Sequence, residues 1–315
     1  METPERVQSH FTTADTKAVG TTTETRASGT VVHLRNSTGV LQRMQVQAKS
    51  QTHSLWQAIR ANARSYLLGL LSLSALTLFW YLATHYRVDF YIRFGNIPDP
   101  ASVFESLIRM SHTDSVFQNI IVSVRRVFIG FAIAAILGVA SGLVIGRYTL
   151  ARDLLFPVFE VLRPVPAIAW VPMAIMLWPT SESSIVFITF LGAFFPIVLN
   201  TYQGVRDLDP VLVRAARSLG AGEGALLREV ILPGALPHIF TGLALGMGVA
   251  WVSLIAAEMI SGQFGIGYFT WEAYSLIQYA DIAVGMMIIG LLGLLSSALI
   301  RFAGRIVMPW VHLHR

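Results

Sequence analysis

Cysteine is absent from the 315-residue chain, which rules out a disulfide framework, a thiolate nucleophile and any cysteine metal centre, and leaves the redox compartment unmarked. Lysine is nearly absent as well, since Lys17 and Lys49 are the only two. An ATP-binding loop of the GxxxxGK[ST] type needs its lysine behind a glycine, and Ala48 precedes the single Lys-Ser pair; the chain is expected to hydrolyse no ATP itself. No histidine pair has the HExxH spacing, and no catalytic or metal-binding constellation emerges elsewhere. Charge is scarce: 13% of residues are charged, against about 25% in an ordinary soluble domain. With 54% hydrophobic residues and a mean hydropathy of +0.59, this excludes a soluble enzyme. The formal net charge of +5 does not point to nucleic acid, because the basic residues are spread by membrane side rather than gathered on one face.

What the chain does have is long apolar runs. A helix crosses the hydrocarbon core with about 20 residues, and six segments suffice, near 66–84, 127–145, 154–178, 184–202, 238–260 and 282–302. Residues 1–60 are rich in Thr, Ser and Gln and are expected to form a disordered polar tail ahead of a transmembrane domain over 61–315. Basic residues collect in the tail, in the 146–153 turn (Arg147, Arg152), in the interruption 204–237 (Arg206, Arg214, Arg217, Arg228) and at the C-terminus; the loops 179–183 and 261–281 have none. By the positive-inside rule both termini and the 204–237 interruption are cytoplasmic. The mixed charges between Arg87 and Asp114, and the pair Arg125–Arg126, suggest an amphipathic lead-in helix before the second span.

Gly138, Gly142 and Gly146 form a doubled GxxxG, and Gly242 and Gly246 another, spacings that let helix backbones approach closely in lipid. Pro157, Pro164, Pro166 and Pro172 interrupt the third span, and broken helices of that kind often line transport paths. The interruption 204–237 is patterned as a helical hairpin. Val211, Leu212, Ala215, Ala216 and Leu219 lay an apolar stripe along a short helix from Pro210 to Gly220. Gly220, Gly222 and Gly224 supply a turn, and a second helix over 225–232 is expected to stop at Pro233. Such an elbow suits a cytosolic partner, though a purely structural hairpin has the same pattern.

The elbow resembles the Glu-Ala-Ala (EAA) loop of permease subunits of binding-protein-dependent ABC importers. Ala215, Ala216, Gly220, Leu232 and Pro233 match that motif at its full spacing. Arg214 stands where the family usually has Glu, which reverses a charge, and Val230 where it usually has Ile. Two further stretches, RPVPAIAWVPMAIMLW from Arg163 and the Gly-Ile-Gly-Tyr from Gly265, resemble the nitrate/sulfonate/taurine branch, although Trp178–Pro179 replaces the Phe-Gly its members tend to carry. The resemblance covers about residues 66–310. It implies an all-α polytopic fold of the type I importer permease kind, with about six transmembrane helices and a cytoplasmic coupling helix. It also implies two copies forming a pore in a bacterial inner membrane, two ABC ATPase subunits gripping the elbows and holding ATP and Mg, and an extracytoplasmic solute-binding protein delivering a small anion or organic sulfonate. On this reading Ala215, Ala216 and Gly220 let the coupling helix seat closely, and Leu232–Pro233 mark where the loop re-enters the membrane.

Ionisable residues at membrane depth are candidates for a pathway or gate. Glu160 and Arg163 lie three apart and can pair on one helix face, either beside the solute path or merely steadying a broken helix. Glu258 ends the fifth span; it reads as a contact for the gate or the binding protein or, preferably, as a residue in interfacial water. Trp251 and Ser253 share its helix and constrict the path if that helix lines it, whereas a tryptophan in a packed bundle is the commoner case. The aromatic segment 263–279 reads as an interfacial belt over a short re-entrant turn, and His238 as an interfacial residue. A self-sufficient secondary transporter or channel, and a membrane anchor without transport activity, are the alternatives. The first usually carries conspicuous midplane charges or inverted repeats, and neither is evident.

Overall fold

The computed structural model describes residues 63–65, 67–86 and 97–312; the predicted tail 1–60 and the basic residues counted in it lie outside the described residues. By its contacts the chain divides into Met1–Leu73 and Ser74–Arg315. The first unit holds the opening turns of α1 (Ala63–His85), and every later helix belongs to the second.

The expected lead-in helix is α2 (Pro100–Ser111), with Asp99 extended at its N-cap and Pro100 at the first helical position, where no N–H is needed. Val103, Ser106 and Met110 make its buried face. It is tied to the last long helix, α10 (Tyr279–Val307), by Arg109 Nη2 at 2.6 Å from Asp281 Oδ1 and by a Ser106–Asp281 hydrogen bond. The second span, α3 (Asp114–Arg147), begins well before the expected 127, so Arg125 and Arg126 sit inside it.

The third span is two arms, α4 (Thr149–Leu162) and a 3-10 turn at Ala167–Trp170 running into α5 (Val171–Leu177), bent by 88° at the break 163–166. Pro164 and Pro166 remove the N–H groups that would continue the ladder, whereas Pro172 occupies the first turn of α5, where that loss is harmless. Phe159 anchors the first arm through edge contacts with Phe194 and Phe195, at centroid distances of 5.7 and 6.3 Å. Ser184 holds the second by donating to the Ala174 carbonyl at 3.0 Å. Trp178 is extended, as a residue before proline should be, and Thr180 caps α6 (Ser181–Arg206) by accepting from Ser183 N at 3.2 Å.

The core is α6 clasped between α3 and α8 (Glu223–Ser261). α3 runs parallel to α6: a Cβ on Gly138 would meet Ile197 Cγ2 at 2.8 Å, one on Gly142 would meet the Val198 carbonyl at 2.7 Å, and one on Gly146 would meet Val205 Cβ at 2.6 Å. α8 runs antiparallel to it, with Gly242 facing Asn200 and Gly246 facing Ile197. Both predicted glycine motifs are therefore contact surfaces, where close backbone approach supplies the dispersion that drives association in lipid.

Two expectations are corrected. Pro233 does not stop the second elbow helix: α8 continues from Glu223 to Ser261, and a π-helical turn at Leu226–Ile231 sits immediately before the proline. The wider i→i+5 turn changes the local hydrogen-bond register, so a residue without an N–H is accommodated where a regular ladder would break. The segment 263–279 is not merely a short turn either. It contains α9 (Ile266–Ser275), with Ile266, Gly267, Thr270 and Ala273 buried, while Trp271 and Tyr274 remain exposed with their rings in tilted contact at 5.4 Å.

Candidate functional site

The elbow is built on α7 (Pro210–Ser218), started by the Asp209 carboxylate accepting from Val211 N at 2.8 Å. It ends in a Schellman turn. Ala221 N donates to Ala216 O and Gly220 N to Arg217 O, both at 3.0 Å, with Gly220 left-handed at φ 86. Of the three turn glycines only Gly220 needs that freedom; Gly224 lies inside the helix beyond the turn. Val213 and Ala216 pack inward against Leu226 and Ile231, while Val211, Leu212, Arg214, Ala215 and Leu219 are exposed. Most of the predicted apolar stripe therefore faces outward. Glu223 joins the turn to the end of α3, lying 2.6 Å from Arg147 Nη2 and 3.0 Å from Arg217 Nη2. Arg214 enters no ion pair among the described residues, and Val230, Leu232 and Pro233 lie at and just beyond the π turn.

Beside the elbow a cavity of about 920 Å³ opens between the bent third span, α6 and α8. Its α6 wall runs from Arg206 and Asp207 at the elbow end, through Gln203, Asn200 and Pro196, to Gly192, a depth of about 21 Å at the helical rise. Val249, Val252, Ser253 and Ala256 form the α8 wall, and Glu160, Arg163 and the Pro166 break face them. The structure thus brings Glu160, Arg163 and Ser253 together, with Arg163 Nη1 3.5 Å from Glu160 Oε1. Asn200, Gln203 and Asp207 join them although they belong to no motif. Polarity at the end of an apolar run is their only signal in the sequence.

Trp251 and Glu258 are not part of that cavity. Trp251 is buried in the bundle and donates from Nε1 to Ser296 Oγ at 2.8 Å. For Glu258 the expectation of interfacial water is wrong: the side chain is fully buried. Its carboxylate accepts from Ser123 Oγ at 2.8 and 2.9 Å, from Arg126 Nη1 at 2.8 Å and from Gly267 N at 3.0 Å. Arg126, itself 3% exposed, also pairs with Glu182 and donates to the Phe264 carbonyl at 2.6 Å. A Cβ on Gly265, whose φ is 120, would run into the Glu258 carboxylate. At the end of the bundle away from the elbow, this cluster clamps α3, α6, α8 and the approach to α9 together. His238 lies 3.8 Å from Asp207 near the elbow end.

A family model described as the binding-protein-dependent transport system inner membrane component matches residues 120–313, more than half of the chain. The chain belongs to this family. This permease is 34% identical over 225 residues to the nitrate import permease protein NrtB of Synechocystis, covering 68% of the chain and 82% of the relative. It is 37% identical over 193 residues to the bicarbonate transport system permease protein CmpB of Synechococcus elongatus, covering 61% and 69%. Among solved structures, an amino acid ABC transporter aligns with a TM-score of 0.51 at 16% identity, covering 64% of the chain and 97% of that one. The MetNI methionine ABC transporter aligns at 0.50 and 19% identity, covering 62% and 96%. These last two likenesses bear on the fold. The chain is a multi-pass membrane permease subunit of an ABC importer, and its elbow, its broken span and its core helices, save the first turns of α3, fall inside the matched region.

Proposed function

We propose that two copies of this permease form the pore of an importer for a small anion of the nitrate or bicarbonate class, delivered by a solute-binding protein and driven by two ATPases seated on the elbows. The observation that carries this reading is the placement of the cavity. It begins at the elbow end of α6 and stops at mid-depth at Gly192 and Ser253, while the opposite end of the bundle is held shut by the Arg126–Glu258 clamp. That is the arrangement of a pathway open to one side only, and alternating access requires such a state. The arginine distribution supports a cytoplasmic elbow and cytoplasmic termini.

The coupling follows from the helices. The exposed apolar stripe of α7 is a surface for an ATPase cleft, and Ala215 keeps its profile low. α8 then runs unbroken for 39 residues from Glu223 to Ser261, about 58 Å at the helical rise. Pushing the elbow therefore moves a single rod that carries Ser253 on the cavity wall and Glu258 in the clamp. ATP and Mg reside in the partner ATPase, and this chain supplies position and path.

Replacing Leu212 and Leu219, exposed at 53% and 89%, by glutamate should abolish co-purification with the ATPase and leave membrane insertion intact. Undiminished association of that double variant would refute the docking assignment.

A further inference from the structure

Ser253 is 4% exposed and lies at the inner end of the cavity, packed against Gly192. A Cβ on Gly192 would collide with the Ser253 hydroxyl, and its nearest other neighbour would be the Ser253 Cβ at 2.8 Å. Thr241, Ser261, Ser275 and Ser296 each return their hydroxyl to the carbonyl four residues back. Ser253 makes no hydrogen bond among the described residues. Its oxygen borders the open cavity rather than packed side chains, so its hydrogen-bonding capacity is left for whatever occupies that space.

A second donor on the cavity wall is incompletely used. Arg163 is 55% exposed and reaches Glu160 only at 3.5 Å, well beyond the usual length of a charge-assisted hydrogen bond. The charged lining is balanced overall, with Glu160 and Asp207 against Arg163 and Arg206. A site of donors in a neutral wall holds an anion briefly and releases it, as conduction requires.

We infer that Ser253, with Arg163, forms a pore-side contact site for a small oxyanion, with Gly192 kept side-chain-free to leave the hydroxyl its place. The inference rests on the importer reading for its physiological role. Its structural content is a ligand site in this chain.

The absence of cysteine makes the test direct, because Ser253→Cys places a single thiol in the full chain with a near-isosteric change. Reaction of that thiol with 2-sulfonatoethyl methanethiosulfonate is followed in proteoliposomes in sodium nitrate, sodium bicarbonate or sodium chloride at equal ionic strength. Nitrate or bicarbonate should slow labelling several-fold relative to chloride, and Arg163→Gln in the same background should remove the protection. Leu199→Cys, on the same cavity wall nearer the elbow, should be protected less. Equal rates in the three salts, or equal protection at Leu199→Cys, would overturn the site. If Ser253→Cys does not fold, Ala256→Cys one turn along serves as reporter, and its protection should vanish with Ser253→Ala; persistence would count against Ser253. Protection without ATP-driven uptake by the assembled transporter would sink the importer reading and leave the site standing, whereas uptake without protection would do the reverse.

Discussion

Removing the Glu258 carboxylate should be among the most damaging single changes in the bundle. In Glu258→Ala the Gly267 N–H loses its acceptor, the Ser123 hydroxyl loses both carboxylate oxygens, and Arg126, 3% exposed, keeps only Glu182 and the Phe264 carbonyl. Breaking one side of a buried ion pair typically costs about 3–5 kcal/mol. Glu258→Gln keeps an acceptor for Gly267 and Ser123 and should cost less, about 2 kcal/mol, the scale of a hydrogen bond to a charged group. Because the penalty lies in the stranded charge, Arg126→Met combined with Glu258→Leu should be milder than Glu258→Ala alone, since apolar replacement of a whole buried pair is often neutral. The assay is unfolding in mixed micelles, with Arg126→Met, Glu258→Leu and their double closing a cycle. Additive losses, or a Glu258→Ala cost below about 1 kcal/mol, would show that the pair does not hold the end of the bundle.

Gly142→Ala places a methyl 2.7 Å from the Val198 carbonyl and should destabilise by about 1–3 kcal/mol as overpacking does. Gly248→Ala, with nothing within 4 Å, should instead stabilise its helix by roughly 0.5–1 kcal/mol; the same melts compare them. Gly220→Ala meets no atom but forces a left-handed alanine, a cost of about 1–2 kcal/mol, which should weaken coupling of ATP hydrolysis to uptake while expression stays normal. Trp251→Phe loses the Ser296 hydrogen bond, about 1 kcal/mol, and should leave solute KM unchanged because Trp251 lies off the cavity.

The spans and the elbow are legible in the sequence because their signals are local: apolar length, glycine at four-residue spacing, prolines at 164 and 166, and a motif with fixed offsets. The bend of the third span is likewise announced by its prolines, although its 88° is not. Pro233 misleads because a proline in sequence reads as a stop, and the π turn that accommodates it is a property of the preceding six residues taken together. Glu258 reads as a residue in water because a carboxylate at the end of an apolar run has no partner nearby in sequence. Its partners Ser123 and Arg126 lie 135 and 132 residues away. The cavity is hidden in the same way, because its walls come from three separate stretches, the bent third span, α6 and α8. A hydroxyl such as Ser253 becomes informative only once it is known to border the cavity.

A permease that moves a small anion inward by ATP-driven motion transmitted from the elbow must fail when either the ATPase or its seat is removed. The most direct test is nitrate and bicarbonate uptake into proteoliposomes holding the permease, its ATPase and its solute-binding protein, with and without ATP. Uptake that needs both ATP and loaded binding protein, and that is lost in Leu212→Glu/Leu219→Glu, is the predicted result. Uptake that proceeds without any ATPase would contradict the account and identify the chain as a self-sufficient transporter.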